Sequence, residues 1–213
     1  MKAVIFDMDG VVSDTDYLHG EILSLQLKNN NVDITSIALH KRFAGMKTIQ
    51  VYETLVKEHS LKGNARELLD EKNILFKKRL DKELRPITGA IELIQQLNAN
   101  NIPLALASGS EYKIINWTID GLDLRKYFQN ILSSDDVEHG KPAPDIFLKV
   151  ATSIGIAPED CVVIEDGMSG MIAAKAAGMK CVALVKIDDD RQFPADLIIY
   201  DLRELNLERL REL

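Results

Sequence analysis

Val4-Ile5-Phe6-Asp7-Met8-Asp9-Gly10 is an apolar run that stops abruptly at two carboxylates one residue apart, with a glycine behind them. Lys2 to Phe6 is short, apolar and β-branched, the composition of a buried central strand. Open α/β sheets hold their ligand crevice at the carboxyl ends of such strands. Carboxylates paired there repel each other and call for a cation, and Mg²⁺ is the natural oxygen-seeking one.

Further along, Ile102 to Ala107, Gln129 to Ser133, Cys161 to Glu165 and Lys180 to Val185 repeat the same short apolar pattern, and Leu197 to Tyr200 adds a last strand. Helical spacing fills the gaps. Thr88 is placed to cap a helix that carries Ala90, Leu93, Ile94 and Leu97 on one face. A second pattern follows Ser110 with Ile114, Ile115, Thr118 and Ile119, and a third starts near Pro144 with Ile146, Phe147 and Val150. A fourth runs from Met168 to Ala177 and ends at Gly178, a residue suited to a left-handed terminator. Alternating strand and helix predict an α/β fold, a Rossmann-like parallel sheet covered on both faces.

From Thr15 to Leu84 the rhythm changes. Leu18/Ile22/Leu25 and Leu68/Leu69/Leu75/Leu80 recur at helical spacing, while Asn29-Asn30-Asn31 and Gly63-Asn64 mark turns. The expected organisation is a core of residues 1–14 and 85–213 with an inserted all-helical domain at 15–84. The chain is expected to cross between them near residues 11–16 and 82–87, with Pro86 at the return.

The 213 residues carry 26 Lys and Arg against 33 Asp and Glu, a net charge of −7, and no basic patch of the kind nucleic acid requires. No apolar run approaches the roughly 20 residues of a membrane span. The first residues form a strand rather than a signal pattern, so the expected setting is the cytoplasm. Cys161 and Cys181 each open an apolar run and are expected to be buried and unpaired.

Polar residues stand where apolar runs end: Asp7 and Asp9, Ser108, Lys141, and Glu165-Asp166. Singly, each has an ordinary structural reading: a turn, a helix cap, a solvated lysine, a capped strand end. A parallel sheet would bring them together along one edge. The ordered set Asp7-Met8-Asp9-Gly10-Val11-Val12-Ser13-Asp14-Thr15, Ala107-Ser108-Gly109-Ser110, Gly140-Lys141-Pro142-Ala143-Pro144-Asp145 and Ile164-Glu165-Asp166-Gly167 resembles the haloacid dehalogenase superfamily. The likeness is to its sugar-phosphate phosphatases and β-phosphoglucomutases with a helical cap, and it covers essentially the whole chain.

The resemblance implies a Mg²⁺-dependent phosphatase acting on a small phosphorylated metabolite, a sugar phosphate. Asp7 would be the nucleophile that forms an aspartyl-phosphate, and Asp9 the general acid and then base. Free aspartate has a pKa of about 3.9, so the surroundings of Asp9 are expected to hold it protonated when the leaving group needs a proton. Mg²⁺ would bind the Asp7 carboxylate, the Asp9 carbonyl and Asp166, with Glu165 either a ligand or a residue that orients one. Ser108, with the N–H groups of Gly109 and Ser110 at the following helix start, would hold phosphate oxygens. Lys141 would bridge nucleophile and phosphate. Gly167 departs from the serine of many relatives and removes one hydrogen bond beside the metal.

Dehalogenases of the superfamily need neither the second aspartate nor a metal, and the phosphonate-cleaving branch lacks that acid too; Asp9 disfavours both. In the inserted domain His19 stands where the mutase also has a histidine, and Lys72 matches the mutase lysine that faces the sugar phosphate. Together they would couple closure to the Asp9 position, the plain alternatives being a histidine packed on a helix flank and a solvated helix lysine. Gly45, Lys47 and Thr48 fall in the loop that resembles the family's specificity loop. The mutase has an arginine for its distal phosphate where this chain has Thr48, and Lys47 offers a point charge without the arginine fork. Phosphatase is therefore the expectation. A β-phosphoglucomutase-type mutase and a non-catalytic phospho-ligand-binding module are the alternatives, and a monomer suits an exposed, moving cap.

Overall fold

The computed structural model describes residues 1–43 and 46–213, with residues 40 and 41 described by their backbone alone. β1 (Ala3–Phe6) is followed by four helices, α1 (Asp16–Asn29), α2 (Ser36–Phe43), α3 (Thr48–His59) and α4 (Ala65–Glu83). Then come α5 (Ala90–Ala99), β2 (Leu104–Ser108), α6 (Tyr112–Gly121), β3 (Asn130–Ser133) and α7 (Asp145–Ile154). The chain closes with β4 (Cys161–Glu165), α8 (Met168–Ala176), β5 (Lys180–Leu184), β6 (Leu197–Ile199) and α9 (Leu207–Arg211).

Among the described residues, six strands form one sheet in the order β3-β2-β1-β4-β5-β6, every pair parallel. The α/β fold expected from the apolar runs is the observed one. Because side chains alternate along a strand, Val4, Phe6, Leu104, Leu106, Val162 and Ile164 pack on one face, against Leu93, Ile94 and Leu97 of α5 and Ile115 and Ile119 of α6. Ala3, Ile5, Ala105, Ala107 and Val163 pack on the other, against Phe147 and Val150 of α7 and Met171 and Ala174 of α8. Burying each Val, Leu, Ile or Phe contributes about 1.5–3 kcal/mol, so both helix layers are fixed mainly by this sheet. Cys161 and Cys181 lie buried in it with free thiols.

Boundaries shift for local reasons. β2 begins after Pro103, whose carbonyl accepts from the Val4 N–H but which has no N–H of its own to give. Gly89 rather than Thr88 occupies the cap position of α5. The Ser110 N–H bonds back to Ser108 Oγ at 3.0 Å, and α6 starts only at Tyr112.

Order is reversed between β1 and β4, since the chain runs from β1 outward through β2 and β3 before returning to β4 on the opposite side. That reversal point is where open α/β sheets form their ligand crevice. The four inserted helices pack around Leu27, Leu39, Val51 and Leu55, with a second cluster of Tyr52, Leu68 and Leu69. Entry and exit of this segment run side by side: the Asp14 N–H donates to the Arg85 carbonyl (3.0 Å) and the Ile87 N–H to the Val12 carbonyl (3.1 Å). No helix among the described residues is long and apolar enough to cross a membrane.

Candidate active site

Asp7 leaves β1 at the reversal point, its backbone N–H still bonded to the Ile164 carbonyl of β4 at 3.0 Å. Glu165 and Asp166 end β4 beside it, and one carboxylate oxygen from each of Asp7, Glu165 and Asp166 falls within 4.8 Å of the others. Lys141, from the loop ahead of α7, reaches in with its ammonium 2.5 Å from Asp7 Oδ1, 2.7 Å from Glu165 Oε1 and 3.2 Å from the Ala107 carbonyl. An ammonium has three N–H bonds to give, so these contacts occupy all of them. Glu165 is likewise engaged at both oxygens, because Oε2 accepts from the Gly167 N–H at 2.7 Å.

Two glycines make room for this cluster. Gly10 has φ +84°, and a Cβ there would lie 2.1 Å from Asp166 Oδ2. At Gly170, on the first turn of α8, a Cβ would lie 1.6 Å from Glu165 Oε1. A side chain at either position would displace a carboxylate of the site.

Burial, reinforced by Glu165 and Asp9 and opposed by Lys141, pushes Asp7 up to about 8. Burial followed by the charges of Glu165, Asp7 and Asp16 holds Asp166 well above the usual carboxylate range. Lys141 is raised as well, which favours its charge: burial acts against the ammonium, but Asp7 and Glu165 outweigh burial. One ammonium faces Asp7, Glu165 and Asp166, so the cluster retains excess negative charge whenever all three ionise. An all-oxygen donor set with excess negative charge fits a hard divalent cation.

Asp9 is held apart from that cluster. Thr15 Oγ1 donates to its Oδ1 at 2.6 Å and Ser110 Oγ to its Oδ2 at 3.0 Å, while His19 Nε2 lies 3.4 Å from Oδ1. Burial alone would raise its pKa, but His19 and the two hydroxyls prevail and bring it down to about 2. In this geometry its neighbours favour the ionised carboxylate, and the proton expected on Asp9 when the leaving group departs is gained within the cycle. His19 Nδ1 in turn faces Lys72 Nζ at 2.7 Å.

A cavity of about 190 Å³ opens over the cluster, lined by Asp7, Asp9, Lys141, Glu165 and Asp166 from the sheet side and by His19, Thr48 and Lys72 from the insertion. Gly109 and Ser110 line it too. Other expected residues lie elsewhere. Ser108 is fully buried, with its hydroxyl accepting from Ser110 N–H, and the Ser110 N–H is thereby turned away from any ligand. Lys47 Nζ bonds the Val137 carbonyl at 2.5 Å and lines a separate cleft beside Arg66 and Glu111. That corrects its expected place in the substrate cavity: the lysine stem spans from insertion to core and reaches a carbonyl acceptor there. Gly45 lies outside the described residues.

Sequence reasoning did not single out Thr15 as a partner of Asp9, Asp16 as a lining residue, or Glu111, whose carboxylate meets Arg66 at 3.3 Å and Asn73 at 2.8 Å. Thr15 carried a signal, since it closes the first motif six residues after Asp9. Glu111 carried none.

The model of the family described as haloacid dehalogenase-like hydrolase matches residues 4–184. The chain belongs to that family. Within it, similar proteins include a phosphorylated carbohydrates phosphatase of Thermotoga maritima, 34% identical over 184 residues, which covers 84% of this chain and 83% of that one. A bifunctional riboflavin kinase/FMN phosphatase of Arabidopsis thaliana is 33% identical over 211 residues; it covers 98% of this chain, which spans only 55% of that longer protein. Among solved structures, a β-phosphoglucomutase of Clostridium difficile superposes with a TM-score of 0.85 at 25% identity, covering 100% of this chain and 96% of that one. Haloacid dehalogenase-like hydrolases thus surround this chain in both sequence and fold.

Proposed function

We propose that this hydrolase is a Mg²⁺-dependent phosphatase that cleaves a small phosphorylated metabolite through an aspartyl-phosphate at Asp7. The observation that carries the reading is the convergence of Asp7, Asp9, Lys141, Glu165 and Asp166 on one cavity at the sheet's reversal point. The names of relatives make sugar phosphates the first class to assay. No nucleic-acid or membrane partner and no second subunit enters this reading.

Asp7 and Asp166, with the Asp9 carbonyl, are the residues that would hold the ion, while Glu165, engaged at both oxygens, orients Lys141 and the following turn. Bound there, Mg²⁺ would neutralise the carboxylates and draw charge from the phosphoryl oxygens. The Asp7 carboxylate attacks phosphorus and the alcohol leaves; water then attacks the same phosphorus and frees phosphate and Asp7. Lys141 holds the nucleophile in place. Its bond to the Ala107 carbonyl, the longest of the three at 3.2 Å, is the one a phosphoryl oxygen replaces.

Asp9 is ionised at rest and must gain a proton before it can give one. A phosphate dianion arriving beside it raises its pKa by like-charge repulsion, so Asp9 takes up its proton from solvent before the cavity closes. Water then returns a proton to Asp9 in the second half of the cycle. The inserted helices act as a mobile cap, residues 15–84, turning about the paired segments near 12–14 and 85–87.

The mutase reading needs a grip on a second phosphate. Thr48 lines the cavity without a charge, and Lys47 is bonded to the Val137 carbonyl outside it. Release of inorganic phosphate from a panel of sugar phosphates, dependent on Mg²⁺ and abolished by chelation, is expected. Conversion of glucose 1-phosphate to glucose 6-phosphate in a coupled assay, without net phosphate release, would contradict it.

A further inference from the structure

The insertion closes the cavity with side chains that no step above uses. Leu23, Leu39, Phe43, Met46 and Val51 line it together with Tyr52. The Tyr52 hydroxyl lies 2.5 Å from Gln26 Oε1, and the Gln26 amide donates to the Leu68 carbonyl at 2.9 Å. Both polar groups are satisfied within the helices, so Tyr52, buried against Leu68 and Leu69, presents no polar atom to a ligand. The polar atoms on the insertion's side come from Asp16, His19, Thr48 and Lys72. Volume restricts the ligand as well: about 190 Å³ falls below the roughly 300–1,000 Å³ of sites for drug-sized molecules.

A fully hydroxylated hexose carries hydroxyls around its whole ring. Some of them would face carbon here, stripped of water with no partner in exchange. A carbon face set against the same wall gains by burial. We infer that the leaving group is compact and amphipathic, with carbon against Leu23, Met46 and Val51 and its few hydroxyls directed to the polar lining residues His19, Thr48 and Lys72. A deoxygenated sugar or a small cyclic alcohol meets that description better than a hexose. The inference rests on the phosphatase reading and narrows its substrate class.

Cyclohexylmethyl phosphate and glucose 6-phosphate test it, because both join a six-membered ring through one carbon to a primary phosphate and differ chiefly in their hydroxyls. The ratio of their kcat/KM values, measured with Mg²⁺, is expected to favour the cyclohexylmethyl ester by about tenfold or more. Met46→Gln, at a position 38% exposed and so tolerant of change, and Leu23→Asn are each expected to lower that ratio several-fold. A ratio near one or favouring glucose 6-phosphate, or a ratio unmoved in both variants, overturns the inference. p-Nitrophenyl phosphate distinguishes the two levels. If it is hydrolysed while the ratio fails, the phosphatase reading stands and the substrate class falls; if none of the three esters releases phosphate, both fall.

Discussion

Lys72 is 2% exposed, and burial lowers its pKa to about 8 although Asp9 and Glu111 attract its charge. Between about 8 and the unperturbed 10.5 the unfolded chain binds a proton that the folded chain does not, so stability rises with pH across that window. Below about 8 the ammonium is charged in both states and its burial penalty is complete. Lys72→Met is therefore expected to be more stable than wild type at pH 7 by roughly 1–3 kcal/mol and less active. Urea titrations from pH 7 to 11 should show that advantage shrinking as pH rises; an advantage independent of pH would contradict the assignment. Asp9→Asn is expected to lower kcat on alkyl phosphates by about 10²–10⁴-fold and far less on p-nitrophenyl phosphate, whose leaving group needs no proton. An equal loss on both esters would remove the acid role. Asp7, Asp9, Glu165 and Asp166 were legible because charge at the end of an apolar run demands a reason. The low pKa of Asp9 was not, since it depends on hydroxyls and an imidazole brought in by folding.

Elements fix how tightly the insertion sits on the core. Glu111, ahead of α6, meets Arg66 and Asn73 of α4, and Lys113 meets Asp70 at 3.2 Å. Partly exposed pairs contribute about 0.2–1 kcal/mol each. Glu111→Ala is thus expected to change global stability by roughly 1 kcal/mol while favouring the open arrangement, seen as a KM several-fold higher with kcat on saturating ester little changed. A lower KM would show that these contacts do not favour closure. Gly170→Ala probes α8 against β4. The added methyl meets the Glu165 carboxylate, so phosphatase activity should fall at least about tenfold, a loss on the scale of one misplaced positioning group, while the thermal midpoint still shows a folded protein. The elements themselves were readable from apolar periodicity. Their ends were not: Pro103 delayed β2, and the Ser110 turn onto Ser108 delayed α6.

For the whole molecule, order along the sheet brings motifs more than a hundred residues apart to one point, as in the Lys141 bridge between Asp7 and Glu165. Alternation implied a parallel sheet with the motifs along one edge, whereas the strand order β3-β2-β1-β4-β5-β6, which sets the reversal point between β1 and β4, is read from the structure. Contacts made across the insertion, such as Lys47 to Val137, depend on how the two parts dock and left no trace in local pattern. Mg²⁺ at about 100 times its dissociation constant should stabilise the fold by about 2.7 kcal/mol, a rise in Tm of roughly 5–10 °C for a chain of this size. Asp166→Asn should lose that rise; an equal rise in the variant would place the ion elsewhere. The covalent step admits the most direct test: acid-quench the enzyme during turnover of a phosphate ester with Mg²⁺ and map its peptides by mass spectrometry. One phosphoryl group on Asp7, absent from Asp7→Asn along with turnover, is the expected result. A phosphoryl group on any other residue, or steady turnover by Asp7→Asn, would contradict it.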